Sequence, residues 1–226
     1  MKKSTFSLLL LIGISLLLAL STGKANAYAI NNFYNTDSSG GYISPYNVAT
    51  TETFDNSSLA WSWLGNYKVV NGSTSINSAP AANGIKEGTN YATVPGNSSS
   101  GSATITIAPE GTYYTYFGLW WGSIDSYNTI TFFKDGVETQ SFTGSDVVGY
   151  LYGTKTANGD QLSSYTNMYV NFLDLQDFNS IMMTSTSYAF EADNLAVGNP
   201  VPIPAAYWLF GSGLIGLIGI RRRFDS

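Results

Sequence analysis

The chain is 226 residues long, room for one domain of ordinary size with terminal attachments rather than for two full domains. It has no histidine and no cysteine, which excludes Ser-His-Asp and Cys-His nucleophilic catalysis, the usual zinc sites and any disulfide framework. Residues 28–200 carry four lysines, no arginine and fourteen acids, a formal charge of −10; a surface of that sign repels phosphate backbones and anionic headgroups, which argues against nucleic acid as a partner.

In chain order, Lys2 and Lys3 form a basic start, Phe6 to Leu20 an apolar run of fifteen residues, and Ala25-Asn26-Ala27 a small-residue cleavage pattern. Together they predict a signal peptide over residues 1–27, removed between Ala27 and Tyr28. A retained N-terminal membrane anchor is the competing reading of the same run.

From residue 28 to 200 the pattern is β. "SATITI" over Ser102–Ile107 alternates small polar and apolar residues, and "YYTYFGLWWG" over Tyr113–Gly122 is dense in rings that suit a pleated surface. Asn128–Phe133 and Val137–Phe142 flank Asp135-Gly136, a pair that tolerates positive φ, and so predict a hairpin. Further strands are expected at Val48–Phe54, Ala60–Trp63, Tyr67–Val70, Tyr91–Val94, Met168–Leu173, Ile181–Thr184 and Tyr188–Val197, with one short helix over Asp146–Tyr152. Loops are expected at Asn71–Pro80, Pro95–Gly101 and Gly153–Ser164. So many short strands between Gly/Ser/Asn loops predict an all-β domain, a two-sheet β-sandwich with a jelly roll as the preferred topology.

Without histidine or cysteine, carboxylates are the remaining chemistry. Two acids at a suitable separation can hydrolyse glycosides, and Asp125, Asp146, Glu191 and Asp193 are present, but no spacing brings any two together. Structural calcium is the other use of such oxygens. Glu52 and Asp55 fall on what reads as the first strand, and Glu191, Asp193 and Asn194 on the last; the same residues also suit turns and sheet edges. The tryptophans offer a sugar platform. Trp61 and Trp63, two apart, share a strand face; Trp120 and Trp121 point to opposite faces, so one of that pair belongs to the core. Asp125, close after Trp121, adds a polar group suited to hydroxyls.

The chain closes on "VPIPAAYWLFGSGLIGLIGIRRR". Ala205–Ile220 is uncharged for sixteen residues, roughly 24 Å of helix against a hydrocarbon core of about 30 Å. It predicts a short transmembrane helix, with Trp208 at one interface and Arg221, Arg222 and Arg223 at the cytoplasmic one, so that residues 28–200 lie outside the inner membrane. Residue by residue from Val201 to Arg223, this segment resembles the PEP-CTERM sorting signal, in the variant where Val201-Pro202-Ile203-Pro204-Ala205 precedes "WLFGSG". The signature Pro-Glu-Pro would place Glu where Ile203 stands, a departure that bears on cleavage. The resemblance implies processing by exosortase, a membrane-embedded cysteine transpeptidase, with removal of the tail near Pro202–Pro204 and delivery to the cell surface or matrix. More loosely, Tyr116–Val197 is similar to the ectodomain of a group of exosortase-dependent surface proteins best known from cyanobacteria, which brings no established activity with it.

The expected function is therefore that of a secreted surface or matrix protein with a structural or adhesive role and no enzymatic activity. The alternative is a carbohydrate-binding module that holds exopolysaccharide through Trp61, Trp63, Trp121 and Asp125, with a carboxylate-dependent glycosidase as the third class. No cofactor beyond structural calcium is expected.

Overall fold

Residues 28–38, 41–71 and 90–200 are described by a computed structural model of the chain. The expected signal peptide and the sorting segment, with Val201–Ala205, the helix at 205–220 and its arginines, lie outside the described residues. In chain order the strands are β1 (Ala29–Asn31), β2 (Asn35–Thr36), β3 (Tyr42–Ile43), β4 (Thr50–Glu52), β5 (Ser62–Gly65), β6 (Lys68–Asn71) and β7 (Asn90–Val94). They continue with β8 (Gly101–Thr106), β9 (Tyr116–Gly122), β10 (Asn128–Lys134), β11 (Val137–Thr143), β12 (Met168–Leu173), β13 (Ser180–Ser185) and β14 (Phe190–Gly198). One helix, α1 (Gly144–Tyr152), follows β11. Among the described residues no helix is long and apolar enough to cross a membrane.

The strands form a larger sheet in the order β1-β12-β9-β14-β7-β6, to which β4 adds by pairing with β14, and a smaller sheet in the order β11-β10-β13-β8-β5. All of these pairings are antiparallel. From β7 onward the pairing is nested: β10 with β11, β9 with β12, β8 with β13, β7 with β14. The chain thus behaves as one long hairpin rolled so that alternate strands fall into opposite sheets. Its tip is the turn at Asp135 and Gly136, whose φ values of 51° and 80° are those that Asp-Gly tolerates.

The inner faces meet over an apolar core. Along β9 the side chains alternate, and Phe117, Leu119 and Trp121 join the core while Tyr116 and Trp120 do not. Phe132 of the smaller sheet lies 5.8 Å from Phe117 and 5.7 Å from Phe172 of the larger one, ring centre to ring centre. Its fully buried ring is worth about 1.5–3 kcal/mol over exposure. The helix caps itself: Thr143 Oγ1 accepts the Asp146 N–H at 3.1 Å while Asp146 Oδ2 accepts the Thr143 N–H at 2.8 Å. Val147 and Val148 are its buried residues against the core.

Three strands precede the one expected to be first. β1 pairs with β12, and β2 pairs with β3 as a separate two-residue ladder; at two or three residues they are too short to show an alternation. β4 stops at Glu52, short of the expected Phe54, because Phe54 turns out of the strand with φ 58°. Gly101, expected in a loop, opens β8.

Candidate functional site

The outer face of the larger sheet is where the polar and aromatic residues gather. Tyr116, Gly118, Trp120 and Gly122 alternate with the core residues of β9, and across the ladders stand Tyr169 and Asn171 of β12 and Glu191 and Asp193 of β14. Gly118 has no side chain for a reason of space: a Cβ there would overlap Tyr116 Oη and lie 2.9 Å from Tyr169 Cε1. Both phenols therefore lie across the glycine, fully buried.

Residues 31–38 and 41–46 cover part of this face, and a chain of hydrogen bonds holds Asn31, Phe33, Ser44 and Tyr46 there. Asn31 Nδ2 donates to Tyr46 Oη at 2.8 Å, and Asn171 Nδ2 donates to Asn31 Oδ1 at 2.9 Å and to the Phe33 carbonyl at 2.7 Å. Tyr116 Oη donates to Asn171 Oδ1 at 2.8 Å, so its contact with Ser44 Oγ at 2.7 Å is one in which Ser44 donates. Burial pushes the Tyr116 phenol well above its ordinary pKa, which keeps it a donor at any physiological pH. Each such bond contributes about 1 kcal/mol net, and a partner left alone here would cost more.

Beside this roof lies an open cleft of about 370 Å³, lined by Asn32, Tyr34, Tyr42, Trp120, Tyr152, Ser164, Asn167 and Met168. The Tyr42 ring stacks on Trp120 at 4.8 Å and 21°, and Tyr34 meets Tyr42 edge-on at 4.3 Å. Trp120 is buried, Tyr42 partly so and Tyr34 is 49% exposed, so the three rings step from sheet to solvent. The opposite wall is Tyr152, the last residue of α1. Its Oη accepts from Asn32 Nδ2 at 2.7 Å and donates to Met168 Sδ at 3.7 Å, and its ring sits edge-on to Tyr165. Asn167 anchors the floor: its Oδ1 accepts the Ser123 N–H at 2.9 Å and its Nδ2 donates to the carbonyls of Asp160 and Ser163 at 2.7 and 2.8 Å. No carboxylate, amine or guanidinium is among the lining residues.

The three tryptophans expected to carry a platform are elsewhere. Trp121 is fully buried and stacked on Phe190 at 4.4 Å and 14°, while Trp61 and Trp63 are 8% and 9% exposed, with Trp63 packed between Phe54 and Tyr67. Burying an indole removes a large apolar area from water, and these three are buried. They present no ring face to a ligand. Asp125 is 9% exposed and its carboxylate packs over Gly159, where a Cβ would overlap both oxygens; burial raises its pKa, opposed by the Tyr127 hydroxyl. It is not a cleft residue.

The calcium set is brought together only in part. β4 pairs with β14 with Glu52 opposite Leu195, so the two segments are neighbours as expected. Yet Glu52 spends its oxygens on the N–H groups of Phe54 at 2.8 Å and Ala60 at 2.5 Å, and Asp55 Oδ1 accepts the Asn90 N–H at 2.8 Å. Asn194 turns with φ 49° and its N–H bonds Asp193 Oδ1 at 2.7 Å; Glu191 is 1% exposed on the outer sheet face. Among the described residues no group of three or more acids is placed to hold a metal ion. Glu52, Asp55 and Asp193 thus each accept hydrogen bonds from nearby backbone N–H groups. Asp193 carries the consequence: burial, with Asp55, Glu52 and Asp37 nearby and the Asn194 N–H opposing, pushes its carboxyl up to about 8. Asp146, also considered for catalysis, is committed to the helix cap.

The sequence placed Trp120 and Trp121 on opposite faces without saying which is core, and the sugar-binding expectation fell on Trp121; the structure gives the cleft Trp120 instead. Asn32, Tyr34 and Tyr42 belong to a segment without periodicity, and Tyr152, Ser164, Asn167 and Met168 reach the cleft through the roll of the chain. Comparison with family models, with curated proteins and with solved structures finds no match to this chain.

Proposed function

We propose that this chain is an exported surface or matrix protein in which the β-sandwich serves a structural and adhesive role, with the aromatic cleft as its adhesive contact. In this reading the nested strand pairing is a jelly roll that faces the outside of the inner membrane. Residues 1–27 are removed before Tyr28, the helix at 205–220 holds the precursor in the inner membrane, and exosortase acts at Val201–Ala205. The observation that carries the adhesive part is the cleft itself: four aromatic rings facing an uncharged hollow, on a domain whose surface is otherwise strongly acidic. Exposed rings grouped around a hollow mark a contact surface, since single exposed rings are common but convergent ones are not. The tail supports the address through its residue-by-residue likeness from Val201 to Arg223.

The test has two arms. Domain-specific and tail-specific antibodies, applied to fractions of exosortase-competent cells, are expected to find the domain in the matrix or surface fraction without the tail; one species bearing both in the inner membrane refutes the sorting. In the same cells Tyr34→Ala is expected to wash out of the matrix fraction while remaining folded. Retention equal to the parent removes the cleft from the adhesive role.

A further inference from the structure

We infer that the cleft is a binding site for an uncharged polysaccharide, one or two sugar rings of which pack against Tyr34 and Tyr42 between the walls made by Asn32, Tyr152 and Ser164; this rests on the adhesive reading above and names its ligand.

The lining chooses the class. A ligand for this hollow must offer apolar faces to rings and polar edges to amides and hydroxyls, because the lining holds both: Tyr34, Tyr42, Trp120 and Tyr152 beside Asn32, Ser164 and Asn167. A pyranose does so, with C–H groups on its faces and hydroxyls at its rim. A lipid chain would offer Asn32 Oδ1 and the Ser164 hydroxyl no group to bond.

Charge narrows the class further. No lining residue carries a formal charge. Lys155 is held over Tyr165, the ring that meets Tyr152 edge-on, at 4.6 Å, and is not among the lining residues. A carboxylate or sulfate on the ligand would meet no counter-charge within the cleft and a net charge of −10 across residues 28–200. A cationic polymer would find no carboxylate in the lining to pair with.

The polar groups are placed as well. Asn32 commits its amide nitrogen to Tyr152 Oη at 2.7 Å, which fixes the amide and turns Oδ1 into an acceptor of known orientation. Ser164 is exposed at the mouth and its hydroxyl both donates and accepts. The ring ladder is rigid where it needs to be: Trp120 is 3% exposed and clamps Tyr42 by stacking, so Tyr34 stands on a fixed base and binding orders little that is not already ordered. About 370 Å³ lies at the small end of the range for ligand pockets, roughly 300–1,000 Å³.

The full chain, purified in mild detergent, is run by native electrophoresis through gels containing a neutral polymer (hydroxyethyl cellulose, dextran or galactomannan) or the anionic uronan alginate. Retardation by at least one neutral polymer and none by alginate is expected. Tyr34→Ala should weaken the neutral interaction about tenfold, and Ser164→Glu, which puts an anion at the mouth of an exposed position, should abolish it with the melting curve unchanged. Preference for alginate, or neutral binding that both variants leave intact, overturns the inference. So does displacement of the neutral polymer by a proline-rich peptide, which an aromatic groove can also seat. If no polymer retards the chain while Tyr34→Ala still releases it from the matrix, the ligand class is wrong and the adhesive reading stands; if Tyr34→Ala changes neither, both fall.

Discussion

Gly118→Ala is the sharpest probe of the buried polar face. The new methyl would overlap Tyr116 Oη and lie 2.9 Å from Tyr169 Cε1 and Oη, and both rings are fully buried. Forcing a methyl into such packing costs about 1–3 kcal/mol. Displacing Tyr116 Oη also breaks its bonds to Asn171 at 2.8 Å and Ser44 at 2.7 Å, about 1 kcal/mol each. The sum is about 3–5 kcal/mol, a large share of the stability of a domain of this size. Tyr116→Phe alone should cost about 1–3 kcal/mol, since Asn171 Oδ1 then lacks its donor. In that background Gly118→Ala should cost about 1–2 kcal/mol less than in the parent, because the atom the methyl strikes is gone and its bonds are already lost. Urea unfolding of the four proteins, followed by tryptophan fluorescence, measures the cycle. Additivity within about 0.5 kcal/mol, or a Gly118→Ala cost below about 1 kcal/mol, would show that the phenols do not lie over Gly118 as described.

Trp121→Ala should destabilise by about 3–5 kcal/mol through the cavity it leaves beside Phe190, whereas Tyr34→Ala should change stability by less than about 0.5 kcal/mol; equal effects in thermal melts would reverse the assignment of core and cleft. Asp193, raised to about 8, binds a proton in the folded chain over a range where the unfolded chain has released it. Its contribution is therefore present in mild acid and is lost as pH rises from its unfolded value through about 8. Urea midpoints should fall across that range, and Asp193→Asn should flatten the dependence; a midpoint rising with pH in both would refute it. Thr143→Ala removes the cap acceptor of α1 and should cost about 1 kcal/mol, with Thr143→Ser restoring most of it in the same melts.

The strands from β7 to β14 were legible from different signals: alternation in Ser102–Ile107, ring density in Tyr113–Gly122, and the Asp-Gly pair between β10 and β11. Asp135-Gly136 marked the central hairpin by local backbone preference; the helix was expected from Asp146, and the Thr143–Asp146 cap that starts it at Gly144 was not read from the sequence. The short pieces β1, β2 and β3 were not legible, since strands of two or three residues owe their form to the partner they pair with. The sugar-platform tryptophans show the same limit from another side. A spacing of two says that Trp61 and Trp63 share a face, but not whether that face looks inward or outward.

What the sequence determined by itself is local and compositional: an acidic all-β chain without histidine or cysteine, apolar segments at both ends, and strands punctuated by Gly, Asn and Asp. Tertiary structure decided which of two adjacent indoles is core, that Asn31, Ser44 and Tyr46 are bonded over the outer face, and that Asn32, Tyr42, Trp120 and Tyr152 meet in one hollow. The physical reason is that nested antiparallel pairing joins residues far apart in the chain, Ala29 opposite Leu173 for example. The free energy that selects such a meeting comes from burying both partners at once, a quantity neither segment possesses alone.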